Sequence, residues 1–169
     1  TLRTDADAKV APLNDAGSRV ANLNGQIRAT LAAGGSANEL IDQRNTLMTT
    51  ISQLAGGTVR DLPGGMTEVL LGGNPLVSGE TFNAVSLVGS YHMDAAATDP
   101  VQLQWVNHPG SSVALDGGEI GGTISMLAAA NGSGTGGPIA EAAASYNKFA
   151  TELAAQVNGV YSTGANAAG

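Results

Sequence analysis

Few side chains in this sequence have the types and spacing that reactions require. There are two histidines, His92 and His108. His92 with Asp94 could offer two metal ligands and His108 a third, but the spacing fits no helical or turn-based metal motif. Both read as histidines of exposed loops. Asp42-Gln43-Arg44 pairs a carboxylate with a guanidinium. Residues i and i+2 of a helix point to different sides, so these two read as structural contacts to neighbouring elements and not as a catalytic pair. Gly132-Ser133-Gly134-Thr135-Gly136-Gly137 has the glycine density of a phosphate loop. It lacks the Lys and the preceding buried strand of that motif, so it reads as a flexible linker. Trp105 with the short strands around it could line a ligand groove, but a single Trp on an apolar strand face is more often a core residue. With no Cys there is no thiolate nucleophile, disulfide or Cys-ligated zinc. These residues predict no catalytic, cofactor-binding or metal-binding site.

The composition points the same way. In 169 residues, 7 Lys and Arg stand against 14 Asp and Glu, for a net charge of −7. Dispersed cations in an acidic chain do not suit a phosphate backbone, so no nucleic-acid partner is expected. No apolar run is long enough to span a membrane. Ala and Gly together make up near a third of the chain, and Leu, Val, Ile and Phe about a fifth. That is just enough for a modest, partly Ala-packed core. The start, Thr1-Leu2-Arg3-Thr4-Asp5, has neither an initiator Met nor a signal-peptide pattern, and suggests a piece of something longer.

The elements that must carry these residues are mostly helical. Leu13, Ala16, Val20, Leu23, Ile27 and Thr30 follow 3-4-3-4 spacing and form a heptad seam, extended by Val10 and Leu31. Gly17 and Gly25 would let a neighbouring helix come close. Gly34-Gly35 ends this helix, and Ser36 with Glu39 reads as a capping box for a second one. There Leu40, Arg44, Leu47, Ile51 and Leu54 form the stripe, and Gly56-Gly57 closes it. The period then changes. Residues 58–62 and 66–71 flank Pro63-Gly64-Gly65 as a hairpin, and 76–77, 81–88, 101–106 and 111–115 are strand candidates. Asp116 and Glu119 announce a short helix with Ile120, Ile124 and Leu127. Pro138 opens a last helix in which Ile139, Ala142, Tyr146, Phe149, Leu153, Gln156 and Val160 repeat the 3-4 spacing.

The expected fold class is α+β: long antiparallel heptad helices in a rod-like bundle, with a small antiparallel β subdomain between them. Residues 1–57 and 116–164 would form a discontinuous helical bundle, 58–115 a β-rich subdomain and 165–169 a frayed tail. The central expectation is that the first and last helices zip together through a seam. Its residues would be Leu13, Val20, Leu23, Ile27, Leu40, Leu47, Ile51, Leu54, Tyr146, Phe149 and Leu153.

Several of these runs resemble a known family. Ala21-Asn22-Leu23-Asn24-Gly25-Gln26-Ile27 is similar to its "LN.QI" helix, and Asn38 to Leu47 to its "N.L.DQRD.L" helix, with Asn45 where Asp is usual. Met66 to Gly79 resembles its next β segment, Gly117-Gly118-Glu119-Ile120-Gly121-Gly122 its "GGE.GG" helix start, and the last helix its exit, with Tyr161 in place of the usual His. The family is that of flagellar hook-associated protein 1, the hook–filament junction protein. The resemblance implies a structural, non-catalytic subunit that joins hook to filament by lateral and axial packing. It implies export through the flagellar type III apparatus, an extracellular location, self-association in the assembled flagellum, and contacts with hook protein, the second junction protein and an export chaperone. The fragment alone would be monomeric. The competing reading is a surface-exposed adhesive or glycan-binding module that uses the β region near Trp105.

Overall fold

The computed structural model describes residues 1–164; the expected frayed tail, 165–169, lies outside the described residues. The first helix, α1, runs Leu2–Ala32 and starts well before the apolar stripe does. The Thr1 side-chain oxygen caps it by accepting from the Thr4 N–H at 3.2 Å. The second, α2, covers Asn38–Ala55 and folds back on α1 as the expected αα-hairpin. Its capping box does not form. The N-cap is Ala37, so the Ser36 hydroxyl sits one residue too early. Glu39 instead accepts from Gln43 Nε2, one turn on, at 3.5 Å.

The strands form two antiparallel sheets. β1 (Thr58–Asp61), β2 (Thr67–Leu71), β3 (Asn74–Ser78) and β4 (Thr81–Phe82) make a meander in sequence order. β5 (Val85–Val88) pairs with β6 (Gln102–Trp105), with Val85 opposite Trp105. The single strand expected over 81–88 is therefore two strands in different sheets. Side-chain amides make the break. Asn83 Nδ2 donates to the Pro75 carbonyl at 2.9 Å. Asn14 of α1 holds the first residue of β5 from both sides: its Nδ2 donates to the Val85 carbonyl at 2.8 Å, and its Oδ1 accepts from the Val85 N–H at 3.0 Å. The strand expected over 111–115 reduces to one bridge, Gln104 with Ser112.

Two helices follow, α3 (Gly118–Leu127) and α4 (Pro138–Thr163). Gly118 has φ +75°, and a Cβ there would sit 2.5 Å from the Ala55 nitrogen. Only a glycine lets the start of α3 rest on the end of α2. Gly17 and Gly25 also serve close approach, but to the β region and not to a helix. A Cβ on Gly17 would meet the Phe82 ring at 2.7 Å, and one on Gly25 would meet the Glu80 side chain.

The main core surrounds α1. Ala6, Val10, Leu13, Ala16 and Val20 pack with Ile51 and Ala55 of α2, Leu71, Leu76 and Val77 of the first sheet, Leu87 and Leu103 of the second, and Ile120 of α3. A smaller cluster of Leu23, Ile27 and Ala37 closes the α1–α2 end. The zipped pair of first and last helices is absent. The stripe of α1 is covered by α2, α3 and both sheets, and α4 meets the body chiefly through α3. The sheets fill the place that the seam reserved for α4.

Candidate assembly site

Two buried polar side chains bolt the helices to the first sheet. Asn24 of α1 is fully buried. Its Nδ2 donates to the carbonyls of Thr67 at 2.8 Å and Gly79 at 2.7 Å. Its Oδ1 accepts from the Thr67 N–H at 3.1 Å and from Arg44 Nη1 at 2.9 Å. Arg44 of α2 is buried too, and its Nη1 also donates to the Gly65 carbonyl at 2.6 Å. Burial pushes the Arg44 pKa below the ordinary arginine value, and the Asp61 charge partly opposes this. The guanidinium keeps its charge and spends it on carbonyl and amide oxygens, which hold α1, α2 and the turn before β2 in one register. Asp42 stays exposed and apart, as the helical spacing predicts.

Of the predicted seam, Leu13, Val20, Leu23, Ile27 and Ile51 are buried, and Leu40, Leu47 and Leu54 are half-buried against the same clusters. Tyr146, Phe149 and Leu153 are not brought to them. They lie 75%, 64% and 50% exposed on α4, with no element packed over them among the described residues. The structure thus presents an amphipathic helix with a bare apolar face beside a core that is already closed.

The other candidate residues are scattered. His92 and His108 are exposed, and among the described residues no three His, Asp or Glu side chains gather as a metal site. The segment 131–137 joins α3 to α4 without regular structure, and it is hydrogen-bonded. Glu141 Oε1 accepts from the N–H groups of Asn131 and Gly136 at 2.7 and 3.1 Å, and Asn131 Oδ1 accepts from the Ser133 N–H. A carboxylate thus fills the amide nest that a phosphate would need. Trp105 is 8% exposed and packs in the main core. The hollow at its edge is lined by Trp105 itself with Asn74, Asn83, Asn107 and His108, so one aromatic edge meets several polar side chains there.

The bridging roles of Asn24 and Asn14, which tie α1 to the strands, were not read from the sequence. The signal was present: Val20, Asn24 and Ile27 are spaced i, i+4, i+7, which puts an amide on the buried face.

The comparisons with known proteins agree with this geometry. The family model for the flagellar hook-associated protein FlgK helical domain matches residues 1–169. The chain belongs to the FlgK helical-domain family. Flagellar hook-associated protein 1 of Salmonella typhimurium is 36% identical over 86 residues, covering 49% of this chain and 16% of that protein. The Escherichia coli K12 protein of that name matches to the same extent. The chain therefore spans about a sixth of the length of these curated relatives. The flagellar hook junction protein FlgK from Burkholderia pseudomallei superposes with a TM-score of 0.56 at 29% identity, over 73% of this chain and 23% of that one. The two FlgK-like helical motifs contain Asn24 and Arg44, the two side chains of the bolt.

Proposed function

We propose that this chain is the helical part of a structural subunit that joins flagellar hook to filament outside the cell, and that it works by packing, without catalysis. The supporting observation is the bare apolar stripe of Tyr146, Phe149 and Leu153 beside a closed core. Exposed apolar surface in a regular helical stripe is suited to another helix. In this reading the helical parts, 1–57 and 116–164, run along the assembly and the β-rich part, 58–115, braces them. The partners are further copies of the subunit, hook protein and the second junction protein, with an export chaperone before secretion. The test places Phe149→Asp with Leu153→Asp in the full-length protein and follows secretion, hook–filament attachment by electron microscopy, and swimming. Secreted protein with detached filaments and lost swimming supports the proposal. Normal attachment by the double variant overturns it.

A further inference from the structure

Asparagine is followed by glycine three times, at Asn24-Gly25, Asn131-Gly132 and Asn158-Gly159. In such a pair the glycine nitrogen can attack the side-chain amide before it. No Cβ shields the approach, and one chain holds both groups. The fold treats the three pairs differently. Asn24 is fully buried in α1, and its amide is committed to the first sheet. Asn158 lies inside α4, where the helical backbone ties the following nitrogen to the preceding turn. Asn131 and Gly132 are exposed in the joint between α3 and α4. The Gly132 N–H donates no hydrogen bond among the described residues, and a Cβ on Gly132 would meet nothing within 4 Å. The Asn131 side chain folds back over this peptide. Its Oδ1 accepts from the Ser133 N–H at 3.0 Å, the Ser133 hydroxyl at 2.8 Å and the Thr135 N–H at 3.4 Å. Three donors on one oxygen make Cγ more electrophilic and stabilise negative charge that develops on Oδ1.

We propose that Asn131 is a self-modification site, which loses its side-chain nitrogen as ammonia and becomes a carboxylate. A base from solvent removes the Gly132 amide proton, and that nitrogen forms a bond to Asn131 Cγ. The Cγ–Nδ2 bond breaks, and Nδ2 leaves as ammonia with a proton from water. Water then adds to either carbonyl of the five-membered imide and opens it to an aspartyl or isoaspartyl residue. One water is consumed and one ammonia released, with no change of oxidation state. The new charge falls beside Glu141, whose Oε1 holds the joint by accepting from the N–H groups of Asn131 and Gly136. The conversion also removes the Asn131 Nδ2 donor to the Thr135 hydroxyl. Repulsion between the two carboxylates weakens the clamp. α4, which meets the body chiefly through α3, is then free to reorient. The site does not depend on the flagellar reading.

The test incubates the full-length protein at mildly alkaline pH and follows its peptides by mass spectrometry, with an enzymatic assay for isoaspartate. The peptide with Asn131 should convert at least about tenfold faster than those with Asn24 and Asn158. In urea-unfolded protein the three should convert at similar rates, since only the fold separates them. Asn131→Asp carries the new charge from the start. It should raise amide exchange at Gly136 severalfold with circular dichroism unchanged. Conversion of Asn131 no faster than that of Asn158 in the folded protein overturns the modification, and unchanged exchange at Gly136 in Asn131→Asp overturns its effect on the joint.

Discussion

Helices α1 and α4 carry the same 3-4 apolar spacing, yet one has its apolar face enclosed and the other is bare along most of its length. On α1, Leu13, Val20 and Ile27 are fully buried, while on α4 Tyr146 and Phe149 are mostly in water. An apolar period specifies that a face seeks cover, not what covers it. For α1 the cover is two sheets and two helices of its own chain. Each large aliphatic side chain it buries is worth about 1.5–3 kcal/mol. α4 gains almost none of this within the described residues, so its stripe adds little to the stability of this core.

The contrast can be broken by substitution. The largest loss is expected from Leu13→Ala, which opens a cavity where α1 meets the sheets. It should cost about 3–5 kcal/mol in denaturant unfolding, and a loss below about 1 kcal/mol would show that α1 is not the central pillar. Next comes Asn24→Leu, which removes the acceptor of the Arg44 cation and the partner of the Thr67 and Gly79 backbone. A loss of about 2–3 kcal/mol is expected, since buried groups are then left unsatisfied. Changing Arg44→Met as well should recover part of it, as measured by a double-mutant cycle. Asn14→Ala unpins the edge of β5 and should cost about 1–2 kcal/mol, with faster amide exchange at Val85 as its local sign. The smallest effect belongs to α4. Phe149→Ala should change the unfolding free energy of residues 1–169 by no more than about 0.5 kcal/mol. A loss as large as that of Leu13→Ala would mean that α4 is held against the body in solution.

Much of the architecture was legible from local pattern. The αα-hairpin, the 58–71 hairpin and the start of α4 at Pro138 follow from caps, turns and periods that act over a few residues. Arg44 was placed on the buried stripe by spacing alone. What misled were features whose meaning depends on distant chain. Ser36 and Glu39 have the residues of a capping box, but the N-cap position falls on Ala37. Residues 81–88 have the β propensity of one strand, but Asn14, far off in sequence, ends one sheet and begins another there. The glycines of 132–137 look free until Glu141 is seen accepting from their loop.

Spacing and turn chemistry by themselves determined where the long helices and the first hairpin lie and which helix faces are apolar, because these depend on contacts within a few residues. The competition among partners was decided only in three dimensions. Whether the sheets or the last helix cover α1 is a matter of which surfaces fill the space around Gly17 and Asn24. A one-dimensional period contains no volume. The tertiary packing does, and it gave that space to the β strands and left α4 open.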